Sequence, residues 1–402
     1  MKKEDLIHAV NETGDDLLEA AQNARLAYMA SGRTKRITAG ILSAAAVSVC
    51  FLYFLRPAAG PEPVPDPVLD ETPAAVPEEH HEPITVSRSI NSGMGMSAVM
   101  YYDPADEPDY NPWTEDMDLK RLPVYIRPSH PAGVPYGLPE ETMRAKLAEV
   151  LDKLDMTALS WAAETAGETG PDDIDADAVL NIRTETEEAY VYCDGYGTVT
   201  VFLKQGSHIT LPDEYRLRFD ADAETARRSA EWLTENFPQF FGGKDWGCDL
   251  GGDRTFSGEI SRQYQVYPVS DDDVQTILDY AYSRTSFLPD DAGDLTGFRF
   301  ADELAAAEKA DEYPVISVED AYSQLYAGNC RYNTGIMPRK DHMIGDVQLI
   351  YFNDRTSECQ MPYYRFLIDI TDDLDIMTAE GLKTYGIYLV PAVDPQYILW
   401  EE

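Results

Sequence analysis

The sequence predicts an α+β protein: antiparallel sheets carrying helices, joined through one transmembrane helix to a short cytoplasmic helical tail. Three observations lead there. Residues 37–55, ITAGILSAAAVSVCFLYFL, form an uninterrupted apolar run without a charge. Residues 57–83 are dense in Pro, Glu and Ala. From about residue 84 onward, short alternating stretches rich in Tyr, Val and Ile are interleaved with stretches of helical spacing that begin at Asp, Ser or Pro.

The N-terminal part comes first. Thr13-Gly14-Asp15-Asp16 fits a capping box, and Leu17, Ala21, Ala24 and Tyr28 follow at helical spacing. So few residues cannot bury a core of their own, so 1–36 reads as a tail of one or two small helices. The apolar run 37–55 reaches roughly 28 Å as a helix, close to the ~30 Å hydrocarbon core of a bilayer. Arg33, Lys35 and Arg36 precede it, which predicts a cytoplasmic N-terminus and an extracellular C-terminal domain. The long N-terminal extension favours a retained signal anchor over a cleaved signal peptide. Cys50 is followed by further apolar residues, which argues against lipidation there. Residues 56–83 then read as an extended, semi-rigid stalk, with His80-His81 as a solvated linker pair.

The chain carries 32 Lys+Arg against 72 Asp+Glu, a net charge of −40. Residues 1–55 hold six of each sign, so the whole imbalance lies beyond them. Such a field repels phosphate backbones and anionic headgroups, which excludes nucleic acid as a partner. It serves solubility in the simplest reading and suits a cation or a basic partner in a sharper one.

The remainder reads as strands and helices in order. Ile84–Ser89, Ser97–Tyr102 and Leu122–Arg127 are strands, with a Pro/Asp loop over Asp103–Trp113. Pro139–Leu154 is a surface helix with Met143, Leu147, Val150 and Leu151 on one face. Asn181–Thr186, Ala189–Cys193 and Thr198–Lys204 are strands, the last two joined by the turn Asp194-Gly195-Tyr196-Gly197. Tyr215–Phe219 is a further strand. Asp222 caps a helix running to Phe237, which explains the acids Asp220, Asp222 and Glu224 without a cation. Ser261–Pro268, Val274–Phe287 and Leu295–Phe300 form strands. Asp290-Asp291-Ala292-Gly293-Asp294 between the latter two lacks full calcium-loop spacing and reads as a hairpin turn. Asp302–Ala310 is a short helix, and Ser317 caps another that ends near Gly328. Gly345–Phe352, Met361–Ile370 and Lys383–Val390 close the chain as three antiparallel strands under that helix. In the middle one, Tyr364, Phe366 and Ile368 share the helix-facing side, and Arg365 and Asp369 mark the other side as the wetter one. The domain division is then 1–36, 37–55, 56–83, and two extracytoplasmic α+β subdomains at 84–242 and 243–402.

The series PVISVEDAYSQL, IGDVQLIYF, MPYYRFLIDI and YGIYLVPAV resembles the C-terminal module of the YycH/YycI (PepSY-like) regulators of Gram-positive bacteria, over about 313–395. With DLIHAVNETGDDLLEAA, the span, the stalk and an LPVY strand, the whole chain also resembles uncharacterised single-pass membrane proteins of clostridia. The resemblance implies control of a sensor kinase through contacts in and outside the membrane. It carries no residue-level site.

No nucleophile elbow, HExxH, Ser-x-x-Lys or phosphate loop is present. Gly93-Met94-Gly95 lacks the third glycine. His130, His208 and His342 are scattered and read as surface or turn residues, and Glu187-Glu188 has no weight as a glycosidase pair. Cys193, Cys248, Cys330 and Cys359 show no CxxC spacing; they allow three disulfide pairings or isolated thiols. No catalytic, cofactor-binding or metal residue is therefore assigned, and no cofactor. The expectation is a non-enzymatic, membrane-anchored regulatory or signalling protein at the cell membrane, with the membrane and a protein as partners. The alternatives are a cell-surface binding module for peptide, glycan or cation, and an unrecognised hydrolase.

Overall fold

Strands form where β-branched and aromatic residues alternate with polar ones, because successive side chains leave a strand on opposite faces. The computed structural model describes residues 81–90, 97–108, 110–128, 136–170, 173–352, 357–374 and 376–401, all within one compact unit, Glu78–Glu402. β1 (Ile84–Val86) buries Ile84 and Val86 and exposes Thr85. β2 (Ala98–Tyr101) and β3 (Arg121–Ile126) follow. α1 (Glu140–Lys153) buries Met143, Leu147, Val150 and Leu151, the face expected from their spacing.

β4 (Ser160–Gly170) and β5 (Asp173–Glu185) make a long hairpin that sequence reading did not anticipate over residues 160–180. β6 (Ala189–Asp194) and β7 (Val199–Leu203) meet through the expected turn, where Asp194 Oδ1 accepts from Tyr196 N and Thr198 N and Gly197 takes φ 98°. α2 (Ala223–Asn236) is capped by Asp222, whose Oδ1 accepts from Thr225 N at 2.8 Å. α3 (Pro238–Phe241), β8 (Asp245–Asp249), β9 (Gly252–Arg254), β10 (Ile260–Arg262) and β11 (Tyr264–Val269) come next.

α4 (Asp273–Tyr282) corrects the strand expected from Val274. Asp272 accepts from Val274 N and Gln275 N, and Ile277, Leu278 and Ala281 are buried at helical spacing. The run of three aspartates is thus a cap, and only Thr285–Pro289, β12, is extended. β13 (Leu295–Phe300) pairs with it through the expected hairpin, where Asp290 Oδ1 accepts from Ala292 N and Asp294 N. The helix expected over Asp302–Ala310 is absent: 303–306 form turns, and the last three residues enter β14 (Glu308–Pro314), where pairing with β3 overrides the helical propensity of Glu, Lys and Ala. Tyr215–Phe219 is likewise no strand: one 3-10 turn, Asp213–Tyr215, leads into loop. α5 (Val318–Tyr326), capped by Ser317, β15 (Ile344–Tyr351), β16 (Cys359–Gln360), β17 (Pro362–Asp369), β18 (Lys383–Pro391) and β19 (Ile398–Trp400) complete the chain.

The strands assemble non-locally. An eight-stranded sheet runs β4-β5-β6-β7-β13-β12-β11-β8, so strands from either side of residue 242 are neighbours. α1 and α2 cover one face of it around Leu147, Ile182, Val201, Leu233 and Phe298. A four-stranded sheet runs β15-β17-β18-β2: the three expected C-terminal strands plus a fourth from residues 98–101. A third sheet, β14-β3-β16, joins residues 121–126 to the C-terminal third. β1 lies parallel to β19, Ile84 opposite Ile398.

Both faces of β17 are covered. Tyr364, Phe366 and Ile368 pack with α4 and α5, while Tyr363 packs with Ile84, Val124 and Leu389. Arg365 and Asp369 are the only half-buried residues of β17, so theirs is the wetter face as expected, but it is no open surface: Arg365 donates to Gln348 Oε1, and Asn111 Nδ2 donates to Leu349 O at 2.9 Å beside it. The segment around Asn111, contributed from more than two hundred residues away, closes that side.

The membrane assignment is corrected too. The expected span 37–55 lies outside the described residues, as do the tail 1–36 and the stalk up to residue 80. Among the described residues no helix is long and apolar enough to cross a membrane. α1 and α2, the longest of them, have 14 residues each, about 21 Å of helix against the ~30 Å required, and each presents one polar face. What is described is an α+β arrangement of sheets and helices. The expected fold class is corrected to that arrangement, in which no described helix supplies the transmembrane element; the single-pass anchoring, the N-cytoplasmic topology, the cell-membrane location, the membrane as partner and regulation from an anchored position are corrected to the same extent, among the described residues.

Burial within α4 sets one pH dependence. Asp279 is half-buried, and desolvation pushes its carboxyl above the usual range despite hydrogen bonds from Ser283 and Gln275. The folded state therefore holds that proton more tightly than the unfolded chain. Its contribution is fully present below the unfolded pKa and is lost as pH rises through the folded value. Asp279→Asn should raise stability at pH 7 relative to the parent, with the difference vanishing in acid. Urea melts at both pH values test this; an unchanged or lower midpoint at pH 7 would refute it.

Candidate functional site

A large concavity follows from the first of the described strands. β1 has a hydrogen-bonded neighbour on one edge only, β19, and β14 is likewise an edge strand of its sheet. Between them and β3 opens a groove of about 1070 Å³. Val124, Ile126, Tyr313 and Cys359 supply its apolar lining. Glu82, Asp311, Glu358 and Glu401 line it as well, all of them exposed. Edge strands carry unpaired N–H and C=O groups, so such a border offers hydrogen bonds to an incoming strand.

One buried cation lies in the lining. Arg331 is 4% exposed; its Nη2 donates to Ser89 O at 3.0 Å and its Nη1 to Tyr363 Oη at 3.3 Å. Its backbone N–H donates to Leu389 O at 2.8 Å, so a bridge to β18 holds it in place. The guanidinium ties the chain after β1 to the sheet beneath and shapes the groove.

His81, at the end of the expected stalk, braces two residues of the lining, Asp311 and Tyr313. The expectation of a solvated His80-His81 pair is corrected for His81, which is 7% exposed; His80 lies outside the described residues. Arg121 Nη2 donates to His81 Nε2 at 2.9 Å, so Nδ1–H donates to Asp311 Oδ2 at 2.6 Å. The ring packs on Tyr313 and Tyr397 at centroid separations of 4.8 and 5.0 Å. Asp311 is held below the ordinary carboxylate range, first by the Glu312 backbone N–H and then by His81. It therefore keeps its negative charge in mild acid.

The groove holds no activated nucleophile. Burial pushes the Cys359 thiol up to about 12. Cys193 and Cys330 are pushed to about 12, and Cys248 to about 11, by the same desolvation. A thiol becomes reactive when its pKa falls towards 7, so these four are packing residues; all are free thiols. Among the described residues no group of three or more His, Cys, Asp and Glu comes together to hold a metal ion.

The other residues weighed from sequence do not converge. His208 faces Asp290 at 3.5 Å beside the β12–β13 turn. His342 is buried against Asp373 at 2.9 Å. Glu187 and Glu188 sit in the β5–β6 turn, and His130 and Gly93-Met94-Gly95 lie outside the described residues. The groove itself left no motif in the sequence. Its residues come from segments near 82–89, 124–126, 310–313, 331, 357–359 and 401, and only strand pairing brings them together.

No family model matches this chain, and no curated protein matches it in sequence. The resemblance to single-pass clostridial proteins and to the YycH/YycI regulators is corrected on that ground and on the lack of a spanning helix among the described residues. The YycH/YycI part rested on the hydrophobic pattern of 313–395, which any helix laid on antiparallel strands produces.

Proposed function

We propose that this protein is a non-catalytic binding protein that takes an extended, cationic polypeptide segment in the groove between β1 and β14. The observation that carries this reading is the composition of that groove: two edge strands bordering an apolar floor, lined by four exposed carboxylate residues. An extended segment alternates its side chains. Apolar ones meet Ile126, which is exposed, and basic ones meet Glu82, Asp311, Glu358 and Glu401. Backbone groups supply affinity by strand addition, and the carboxylates supply selectivity and encounter rate. The net charge of −40 draws the same partner from a distance. The elevated Cys359 thiol supports binding over covalent chemistry.

Calorimetric titration with a peptide of alternating Lys and Val tests it. Binding in the micromolar range is expected, and a Glu-Val peptide should not bind. Joint substitution Glu82→Gln, Glu358→Gln and Glu401→Gln should weaken affinity at least about tenfold, roughly 1.4 kcal/mol. The same number of changes away from the groove, Glu141→Gln, Glu214→Gln and Glu235→Gln, should leave it unchanged. Equal losses from the two sets would show that bulk charge binds the peptide, and the proposed site would be wrong.

A further inference from the structure

A second concavity, of about 510 Å³, opens at the start of α5 and shares no lining residue with the groove of β1 and β14. Residues 111–120 form one wall of it, and local hydrogen bonds fix them. Asn111 Oδ1 accepts from Trp113 N at 2.9 Å, and Asn111 Nδ2 donates to Leu349 O at 2.9 Å, which pins the segment to β15. At the other end Val315 N donates to Lys120 O at 3.0 Å. Trp113 and Tyr364 meet edge-on inside, with centroids 6.0 Å apart and planes at 71°. Met117 and Val318 extend the apolar lining. Tyr364 is buried, but Trp113, Met117 and Val318 stay half-buried, so apolar surface faces the cavity rather than the core. The volume is in the range of small-molecule sites.

Charge selects the occupant. Glu115 and Glu319 line the cavity and are exposed, and among the described residues neither has an ion-pair partner. Burial pushes the Tyr364 phenol up to about 12, and the Glu319 and Glu115 carboxylates add to that shift. The same two carboxylates act on Tyr322 of α5, after burial and Tyr326, so both face one space. Lys120 also lines the cavity, but Asp118 engages it at 3.2 Å. The positive end of α5 is answered too: Ser317 Oγ accepts from Asp320 N at 3.1 Å, and Glu319 and Asp320 sit in the first turn. Negative charge is left in excess over an apolar, aromatic wall. A compact, strongly hydrated cation would lose more hydration there than exposed carboxylates return, whereas an alkylated ammonium is weakly hydrated and is attracted to an indole face. We propose that this cavity binds a small organic cation, a quaternary or methylated amine with an apolar body, seated against Trp113 with its charge towards Glu115 and Glu319.

Calorimetric titration of the full chain with three probes that share a benzyl body reads this directly: benzyltrimethylammonium, benzyl alcohol and phenylacetate. The cation is expected to bind with Kd below about 1 mM, and the neutral and anionic probes at least about tenfold more weakly. Glu115→Gln with Glu319→Gln should raise the Kd of the cation at least about fivefold, and Trp113→Leu by a similar factor. The triple substitution Glu82→Gln, Glu358→Gln and Glu401→Gln should leave it unchanged, which separates this site from the peptide groove and from the field of the whole molecule. Circular dichroism melts check that Trp113→Leu folds; if it does not, the two exposed glutamates decide. Benzyl alcohol binding as tightly as the cation would reveal a plain apolar cavity, and phenylacetate binding best would reveal an anion site at α5. Either result would overturn the proposal, as would no heat from the cation or a Kd that the glutamate pair does not move.

Discussion

Replacing Phe366 by alanine is expected to cost about 3–5 kcal/mol of folding free energy. Its ring is 0% exposed and meets Tyr322 of α5 edge-on at 5.2 Å. It also sits in β17 among Tyr364, Ile368, Tyr388 and Val390, so truncation leaves a cavity walled by two strands and two helices that cannot close over it. Denaturant unfolding monitored by circular dichroism gives the number directly. Arg365→Ala in the same strand is the comparison. A solvent-facing arginine would cost under about 1 kcal/mol. Here its removal takes the charged donor from the buried Gln348 Oε1, which keeps only the longer contact from Asn111 Nδ2 at 3.4 Å among those it accepts here, and about 1–3 kcal/mol is expected. An Arg365→Ala loss within measurement error would show that this side of β17 is open after all.

Gly297→Ala should be nearly as damaging for a different reason. Gly297 lies in β13 opposite Phe202 of β7, and an added Cβ would enter the van der Waals shell of the Val201 carbonyl oxygen. That atom belongs to the backbone of the adjoining strand, so it cannot rotate away as a side chain would. The β7–β13 ladder must open, and it is the joint that holds the β4–β7 half of the sheet to the β8–β13 half. The cost should reach or exceed the roughly 3 kcal/mol at the top of the ordinary range for overpacking. Hydrogen exchange should show amides of β7 and β13 losing protection before those of β17. A variant as stable as the parent would mean that the sheet halves are joined more loosely than the register implies.

Much of the local structure was legible in the residues. Asp222 and Ser317 start helices where they were expected to, because a side-chain oxygen beside free N–H groups is a local arrangement. The Asp290–Asp294 and Asp194–Gly197 turns are local in the same sense. Alternation in 361–370 correctly put Tyr364, Phe366 and Ile368 on one side. The errors fall where a distant strand outvotes local preference: 308–314 is extended because β3 pairs with it. At 274–282 the misreading was of a local signal, since Asp272 capping and the spacing of Ile277, Leu278 and Ala281 were both present in the text.

By itself, then, the sequence determined the acidic charge, the helix caps at Asp222 and Ser317, the hairpin turns and the inward face of the strand over 361–370. All of these depend on neighbours within a few residues or on a simple sum over the chain. Only the tertiary structure decided that β2 joins β18, that β1 lies along β19 and that residues 121–126 pair with 308–314. Only it buried His81 against Asp311, covered Arg365 and drew six separate segments into one groove. Those outcomes turn on pairings across about two hundred residues or more, where loop closure costs little extra per added residue and the buried area gained decides the partner. No short-range pattern records which of many compatible edges a strand will choose.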